Sequence, residues 1–182
     1  DDVGTPIRDN SGESFRKGIE LESVYKATNK LNISANISFS ENKNVDYKTN
    51  YNGVITDWGD TDISFSPNII SSAGIQFNAS EDLTFTLLNK FVGNQYMSNT
   101  ESNISKLSSY STTDLNILYT IKNSAYFSEI IFTAMINNIF NKEYVSNGYY
   151  YTYDDTWSDP NIITTIEGTG YYPQAKRNFL LG

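Results

Sequence analysis

Regular alternation of apolar and polar side chains is the feature that most constrains this chain. It is clearest in residues 31–40, where every second residue is apolar. These apolar residues are Leu31, Ile33, Ala35, Ile37 and Phe39. Because successive side chains of a strand point to opposite sides of a sheet, the segment is predicted to be a strand with one apolar and one polar face.

Six further segments alternate in the same way, although less cleanly. Together they predict seven strands, at residues 14–26, 31–40, 68–78, 83–92, 112–121, 129–140 and 175–182. Helical spacing of apolar residues fits none of these segments better. No window approaches 18 consecutive apolar residues, which excludes a helical membrane span. The sequence therefore predicts an all-β fold.

The connections between these strands alternate in length. The short ones are residues 27–30, 79–82 and 122–128, and the long ones are residues 41–67, 93–111 and 141–174. This alternation places every long connection at the same end of the sheet. A soluble sandwich with Greek-key crossings has no reason for this arrangement. Outer-membrane barrels, in contrast, have short turns on one side and long loops on the other.

The polar positions of the strands are rich in Asn and Ser. In a membrane barrel they would line a water-filled lumen or contact a plug. The alternative is the solvent-exposed face of an ordinary sheet. The asymmetry of the connections favours the first interpretation, an antiparallel transmembrane β-barrel.

Composition excludes several classes of function for this chain. Its 182 residues include no His and no Cys, which excludes a Ser-His-Asp or Cys-His nucleophile pair and a zinc or haem site that uses these ligands. Its formal net charge is -8 and its 13 basic residues are scattered, so nucleic acid is not an expected partner. We expect no catalysis and no cofactor.

The predicted strands do not complete a barrel, because bacterial single-chain barrels have an even number of strands. Residues 1–13 are too polar to supply an eighth strand, and residues 175–182 are shorter than the roughly nine to eleven residues that span a membrane. Both ends look like cuts in a longer chain. We therefore expect residues 1–182 to be the C-terminal part of a single β-barrel domain.

Four stretches of the sequence together resemble the C-terminal region of TonB-dependent outer-membrane receptors. They are residues 16–22 (RKGIELE), 90–96 (KFVGNQY), 137–149 (NNIFNKEY, then NGY) and 172–182 (YPQAKRNFLLG). The loops resemble those of receptors from the Bacteroidota. The aromatic C-terminal residue usual in that family is absent.

The resemblance implies a 22-stranded barrel around a plug, of which this chain would supply the last seven strands. The plug and earlier strands would lie outside the chain. It also implies energy-coupled uptake of a scarce nutrient, such as a ferric siderophore, vitamin or glycan, across the outer membrane of a Gram-negative bacterium. The implied partners are outer-membrane lipid, the TonB system through parts of the protein not in this chain, a small-molecule or glycan ligand, and a surface lipoprotein.

Aromatic and acidic residues concentrate in the last long connection and suggest ligand contact, since aromatic faces stack on flat or sugar ligands. The candidate ligand-binding residues are Tyr149, Tyr150, Tyr151, Tyr153, Asp154, Asp155, Trp157, Tyr171, Tyr172 and, in the first long connection, Trp58. The alternative is a structural role, either in an aromatic girdle at the membrane interface or in loop packing.

Three acidic residues beside Trp58 are weak candidates for calcium ligands. They are Asp57, Asp60 and Asp62, and their spacing matches no complete calcium loop. A solvated acidic loop is the alternative, and we expect no metal site. Two other functions remain open: a secreted or surface β-sandwich that binds carbohydrate through the Tyr-rich connection, and a small separate outer-membrane barrel or adhesin.

Overall fold

A computed structural model describes residues 12–51, 53–122, 126–159 and 162–182. Residues 1–11, for which the sequence predicts no strand, lie outside the described residues. Within the described residues the elements are β1 (Glu13–Lys26), β2 (Leu31–Tyr51), β3 (Val54–Asp62), β4 (Ile69–Asn78), β5 (Leu83–Val92), β6 (Gln95–Tyr96), a 3-10 turn (Asn103–Ser105), β7 (Lys106–Leu107), β8 (Tyr110–Lys122), β9 (Glu129–Asn137), β10 (Val145–Asp155), β11 (Thr164–Pro173) and β12 (Asn178–Leu181).

Eight of these strands form one antiparallel sheet. Seven of them follow the order β1-β2-β4-β5-β8-β9-β12, and β3 pairs with the extended part of β2. The seven strands of this order correspond to the seven predicted strands, and each pairs with the next of the seven along the chain. The all-β, antiparallel prediction is therefore confirmed. In the part of the chain that the structure describes, β1 and β12 are edge strands, so the sheet is open.

The register aligns apolar residues in a continuous row across all seven strands. From β1 to β12 the row is Tyr25, Ile33, Ile75, Leu87, Leu115, Ile136 and Phe179. The neighbouring positions on the opposite face are Lys26, Asn32, Gln76, Thr86, Asn116, Met135 and Leu180. The alternation read from the sequence thus becomes one apolar face and one mainly polar face.

No second layer covers the apolar face within the described residues. Ile33 is 37% exposed, Ile75 44% and Phe77 44%. The buried hydrophobic residues of the described chain are Val92, Met97 and Leu107, which all lie at the end of the sheet where the long connections leave. The sheet itself therefore has no packed core, which a β-sandwich requires.

The short connections follow the prediction where they are described. Ala27 N donates to Leu31 O (2.9 Å), and Ala79 N donates to Leu83 O (2.9 Å), so each closes a tight turn. No helix in the described chain has the length and apolarity to cross a membrane.

The three long connections contain strands that the sequence analysis did not predict, and the predicted end of the second strand at residue 40 was wrong. β2 continues well past residue 40 to Tyr51 and pairs with β3, and the second connection contains β6, the 3-10 turn and β7. The third connection folds into the hairpin β10–β11. Long connections in this sheet therefore present ordered hairpins rather than loops.

One predicted strand end was also wrong. β9 ends at Asn137, three residues before the predicted residue 140. Asn138 adopts a φ of 52°, which lies in the left-handed region that Asn tolerates better than most residues. Its backbone N donates to Asp114 Oδ1 (2.7 Å). This contact takes the place of the backbone hydrogen bond that would continue the pairing of β9 with β8. β12 is likewise shorter than predicted, since it begins at Asn178.

Candidate functional site

The three long connections pack against one another at one end of the sheet, hereafter the loop end. Lys43, from the extended part of β2, contacts both Asp62 (2.7 Å) and Glu101 (3.3 Å). Glu101 also accepts a hydrogen bond from the backbone N of Asp62. The hydrogen bond to Asp62, together with the charge of Glu101, raises the pKa of Lys43 above its usual value. This ion-pair cluster joins the first connection to the second.

The buried part of the loop end is mainly polar. Ser105 is fully buried; it receives a hydrogen bond from Ser98 Oγ (3.0 Å) and donates to Ser102 O (2.8 Å). Asn44 is 2% exposed and donates to Thr61 Oγ1 (3.3 Å). Hydrogen bonding of this kind is what makes polar burial tolerable. Side-chain hydrogen bonds therefore hold the shape of the first and second connections.

One face of the β10–β11 hairpin packs on this second connection. Tyr171 Oη donates to Ile104 O (3.3 Å). Gly148 lies against Met97, whose Sδ is 2.7 Å from the place that a Cβ on the glycine would occupy. A Cβ at position 148 would also lie 2.5 Å from the backbone O of Gly170, so this close packing requires glycine.

Tyr150 and Glu167 form a hydrogen-bonded pair on the same packed face. Tyr150 Oη donates to Glu167 Oε1. Burial and this hydrogen bond raise the pKa of Tyr150 to about 12, although hydrogen bonds with Ser102 and Thr100 oppose the rise. The same bond from Tyr150 lowers the pKa of Glu167. Near neutral pH the pair is therefore a phenol donating to a carboxylate.

The opposite face of the hairpin carries five aromatic side chains in a line, hereafter the aromatic row. In order they are Tyr172, Tyr149, Tyr151, Tyr153 and Trp157. Successive ring centroids lie 6.0, 6.2, 6.3 and 6.2 Å apart. The last three interplanar angles are 26°, 17° and 11°, so neighbouring rings from Tyr149 to Trp157 are stacked rather than perpendicular.

Two glycines on β11 determine how these rings lie. Tyr151 pairs with Gly168, and Tyr149 pairs with Gly170. A Cβ on Gly168 would lie 2.3 Å from Tyr151 Cζ, 2.6 Å from Oη and 2.7 Å from Cε1. Such similar distances to three adjacent atoms place the face of the ring, not its edge, over the glycine. Each ring therefore rests one face on the backbone and turns the other outward.

Four of the five rings of the aromatic row are exposed, and Tyr153 is half-buried. Tyr149 is 50% exposed, Tyr151 41%, Tyr172 54% and Trp157 72%. Exposed aromatic faces in a row are suited to stacking with a ligand.

The hairpin that carries the aromatic row is negatively charged. Residues 144–175 contain four acidic residues and no Lys or Arg. Asp155, at the end of β10, accepts hydrogen bonds from the backbone N atoms of Trp157 (3.1 Å) and Ser158 (3.0 Å). Hydrogen bonds from Ser158 make the largest contribution to lowering the pKa of Asp155, so this carboxyl is ionised at neutral pH.

The structure separates the candidate ligand-binding residues into three places. It brings together the five residues of the aromatic row, with Asp155 at one end. Tyr150 and Tyr171 lie on the packed face, and so does Asp154, which accepts a hydrogen bond from Thr165 Oγ1 (2.8 Å). Trp58 lies apart on β3 and donates from Nε1 to Thr49 Oγ1 (3.0 Å).

The three weak calcium candidates are each engaged with a different group. Asp57 pairs with Lys48 (3.0 Å), Asp60 accepts from Asp46 N (3.1 Å), and Asp62 belongs to the Lys43 cluster. Among the residues that the structure describes, no three acidic, His or Cys side chains are grouped to hold a metal ion.

Sequence reasoning missed Gly168 and Gly170, which set the orientation of the row. The available signal was the matched spacing: glycines two apart on β11 oppose tyrosines two apart on β10. It also missed Glu101, since nothing in the sequence pairs that residue with Lys43.

Comparison with known proteins gives a structural likeness only. A scan against protein-family models finds no match, and a search of curated proteins finds no relative. Solved structures do match the fold. They include the siderophore receptor PiuA from Acinetobacter baumannii (TM-score 0.67, 18% identity over 92% of this chain and 21% of that one).

Two other receptors match similarly. The ferric yersiniabactin uptake receptor FyuA from Yersinia pestis gives a TM-score of 0.64 at 14% identity, over 94% of this chain and 23% of the receptor. The ferric-catecholate import receptor Fiu from E. coli K12 gives 0.59 at 15% identity, over 94% and 20%. The chain thus spans about a fifth of the length of these receptors and shares the antiparallel fold of that part of them.

Proposed function

We propose that residues 1–182 form the C-terminal part of the β-barrel domain of a TonB-dependent outer-membrane receptor in a Gram-negative bacterium. The observation that carries this proposal is the uncovered apolar row that crosses all seven strands in register. Such a face is unfavourable in water and favourable against lipid. The fold likeness to a siderophore receptor, an import receptor and an uptake receptor supports the same assignment.

Strand length fits a membrane wall. β4 and β5 have 10 residues each, and a tilted membrane strand needs roughly nine to eleven. In this arrangement the apolar row faces outer-membrane lipid. The polar face, which includes Gln76 and Asn116, lines the lumen or contacts a plug supplied by another part of the protein.

The loop end then lies outside the cell as part of the ligand vestibule. Its aromatic row contacts a scarce nutrient, for which ferric siderophores, vitamins and glycans are the classes considered. The receptor couples to the TonB system through parts of the protein not in this chain, and a surface lipoprotein is a further partner. The chain binds and passes its ligand without catalysis.

A β-sandwich that binds carbohydrate is the weaker candidate. It requires a second sheet over the apolar face, and the described residues supply none.

Site-directed spin labelling of the reconstituted receptor tests the proposal. The chain itself has no Cys, so once any cysteines elsewhere in the receptor are replaced, a single cysteine can be introduced at Ile75 or at the adjacent Gln76. We expect a spin label at 75 to be relaxed by oxygen, which partitions into lipid, and one at 76 by a water-soluble nickel chelate. Equal access of the nickel chelate to both positions would reject the barrel assignment.

A further inference from the structure

We infer that the aromatic row is a platform for an uncharged oligosaccharide, with the sugar rings lying along the β10–β11 hairpin. The proposed function supplies the position of this platform in the outer vestibule. The binding chemistry itself follows from the rings, their spacing and the surrounding charge.

The orientation of the rings is the first argument. Tyr149 and Tyr151 lie flat on Gly170 and Gly168, so each presents one whole face outward. The C–H groups on one side of a pyranose ring form a flat apolar surface that packs on such a face, while the sugar hydroxyls remain at its edge. The phenol groups of the row are available to hydrogen-bond with these hydroxyls.

The repetition of the rings is the second argument. Four successive centroid separations lie between 6.0 and 6.3 Å. A single flat ligand would use one or two of these rings. A ligand built from repeating rings would use the whole row, from Tyr172 to Trp157.

Charge is the third argument, because it disfavours the main competing ligands. The three long connections, residues 41–67, 93–111 and 141–174, contain 11 acidic and four basic residues, a net charge of -7 out of -8 for the chain. Two of the four basic residues, Lys43 and Lys48, are held in ion pairs. A polyanionic ligand, such as a metal complexed by several catecholates, would be repelled here.

A cationic ligand fits the charge but not the geometry. Cations bind best where aromatic faces converge on them, whereas Tyr151, Tyr153 and Trp157 are nearly parallel and do not form a cage. Asp155, the carboxylate in line with the row, already accepts two backbone hydrogen bonds. An uncharged polyhydroxylated chain is therefore the ligand class that satisfies both observations.

Affinity electrophoresis of the purified receptor in detergent tests the inference. Native gels would contain mixed-linkage β-glucan, xylan or glycogen as neutral polysaccharides, and alginate as a polyanion. We expect at least one neutral polysaccharide to retard the receptor and alginate to leave it unretarded. Trp157→Ala and Tyr151→Ala should each weaken that binding about tenfold, the loss of one aromatic contact.

Two variants serve as controls. Tyr151→Phe keeps the ring and should retain most of the binding. Tyr126→Ala removes a tyrosine that is 91% exposed in the connection between β8 and β9, at the other end of the sheet, and should change nothing. Trp157 covers neither glycine, so its replacement tests the row even if Tyr151→Ala loosens the hairpin.

The inference is overturned if none of the neutral polysaccharides retards the receptor, or if both alanine variants bind as tightly as the wild type. Neither result would affect the lipid exposure measured by the spin labels. Conversely, polysaccharide binding by a protein whose position 75 is open to the nickel chelate would reject the barrel assignment and leave the platform intact.

Discussion

The ring of Tyr151 lies face down on Gly168, its partner on the neighbouring strand. Tyr149 and Gly170 repeat this relationship one step along the hairpin. The glycines provide the space in which the rings lie flat, so a backbone feature of β11 sets the shape of a surface formed by side chains of β10.

Gly168→Ala should therefore disturb the row without removing an aromatic group. The added methyl would lie 2.3 Å from Tyr151 Cζ, and the ring must lift. We expect near-UV circular dichroism from the coupled aromatic rings to fall, while stability changes by less than about 1 kcal/mol, since the ring tip can move into solvent. Thr169→Ala, between the two glycines and on the opposite face, is the matched control. Identical spectra for Gly168→Ala and the wild type would contradict the flat arrangement.

The main sheet was predictable because it is a single layer. A strand with one apolar and one polar face shows period two directly in its sequence, as Leu31, Ile33 and Ala35 do. The order of short and long connections then predicted the end of the sheet at which the candidate functional surface lies.

The hairpins inside the long connections could not be recognised from an alternation of apolar and polar residues. In β10, Tyr149, Tyr151 and Tyr153 alternate with Tyr150 and other polar residues, so both faces appear similar in the sequence. The two faces differ only in the folded structure, because one of them packs on the second connection. For β2–β3 a local signal did exist, since Asn52-Gly53 is a strong hairpin dipeptide.

The residue types of the candidate site could be predicted from the sequence. The distribution of these residues between the two faces of the hairpin could not. Tyr150 and Tyr151 are adjacent and chemically identical, yet one donates to Glu167 on the packed face and the other is exposed in the row. Strand parity decides this, and parity could not be used while the segment was taken to be a loop.

A charge on the apolar face should impair assembly. Ile75→Arg is expected to destabilise the folded barrel by about 2–4 kcal/mol if residue 75 lies near the bilayer midplane, because Arg there must enter lipid. Gln76→Arg, one residue along and on the polar face, should be tolerated. The measurement is the folded fraction in outer-membrane preparations, scored by heat-modifiable migration in detergent gels. Equal tolerance of the two variants would contradict the assignment of faces.

Asn138 should be critical for the turn after β9. It is 4% exposed, has a φ of 52°, and bonds to Lys142 through both side-chain atoms (2.8 Å each). Asn138→Ala loses these bonds and places a Cβ-bearing residue without polar compensation in the left-handed region, so we expect a loss of about 2–4 kcal/mol in denaturant unfolding. Asn138→Gly should cost less, since glycine accepts the backbone conformation. If the alanine variant unfolds like the wild type, the turn does not depend on this side chain.

Docking of the hairpin on the second connection should be strongest between weakly acidic and moderately alkaline pH. The pKa of Glu167 is lowered from its usual 4.5, so the stability that it contributes is present above that value and is lost as pH falls through the lowered one. The pKa of Tyr150 is raised from 10.0 to about 12, so its contribution is present below 10.0 and is lost as pH rises towards 12. Hydrogen exchange of β10 and β11 amides, corrected for intrinsic rates, should show greatest protection between these limits. Glu167→Gln should abolish the acidic limb and move the alkaline limb to lower pH, because Glu167 also helps to raise the pKa of Tyr150. Tyr150→Phe should abolish the alkaline limb and move the acidic limb to higher pH, because the bond from Tyr150 is the main effect that lowers the pKa of Glu167. A variant that keeps both limbs would show that other groups control the docking.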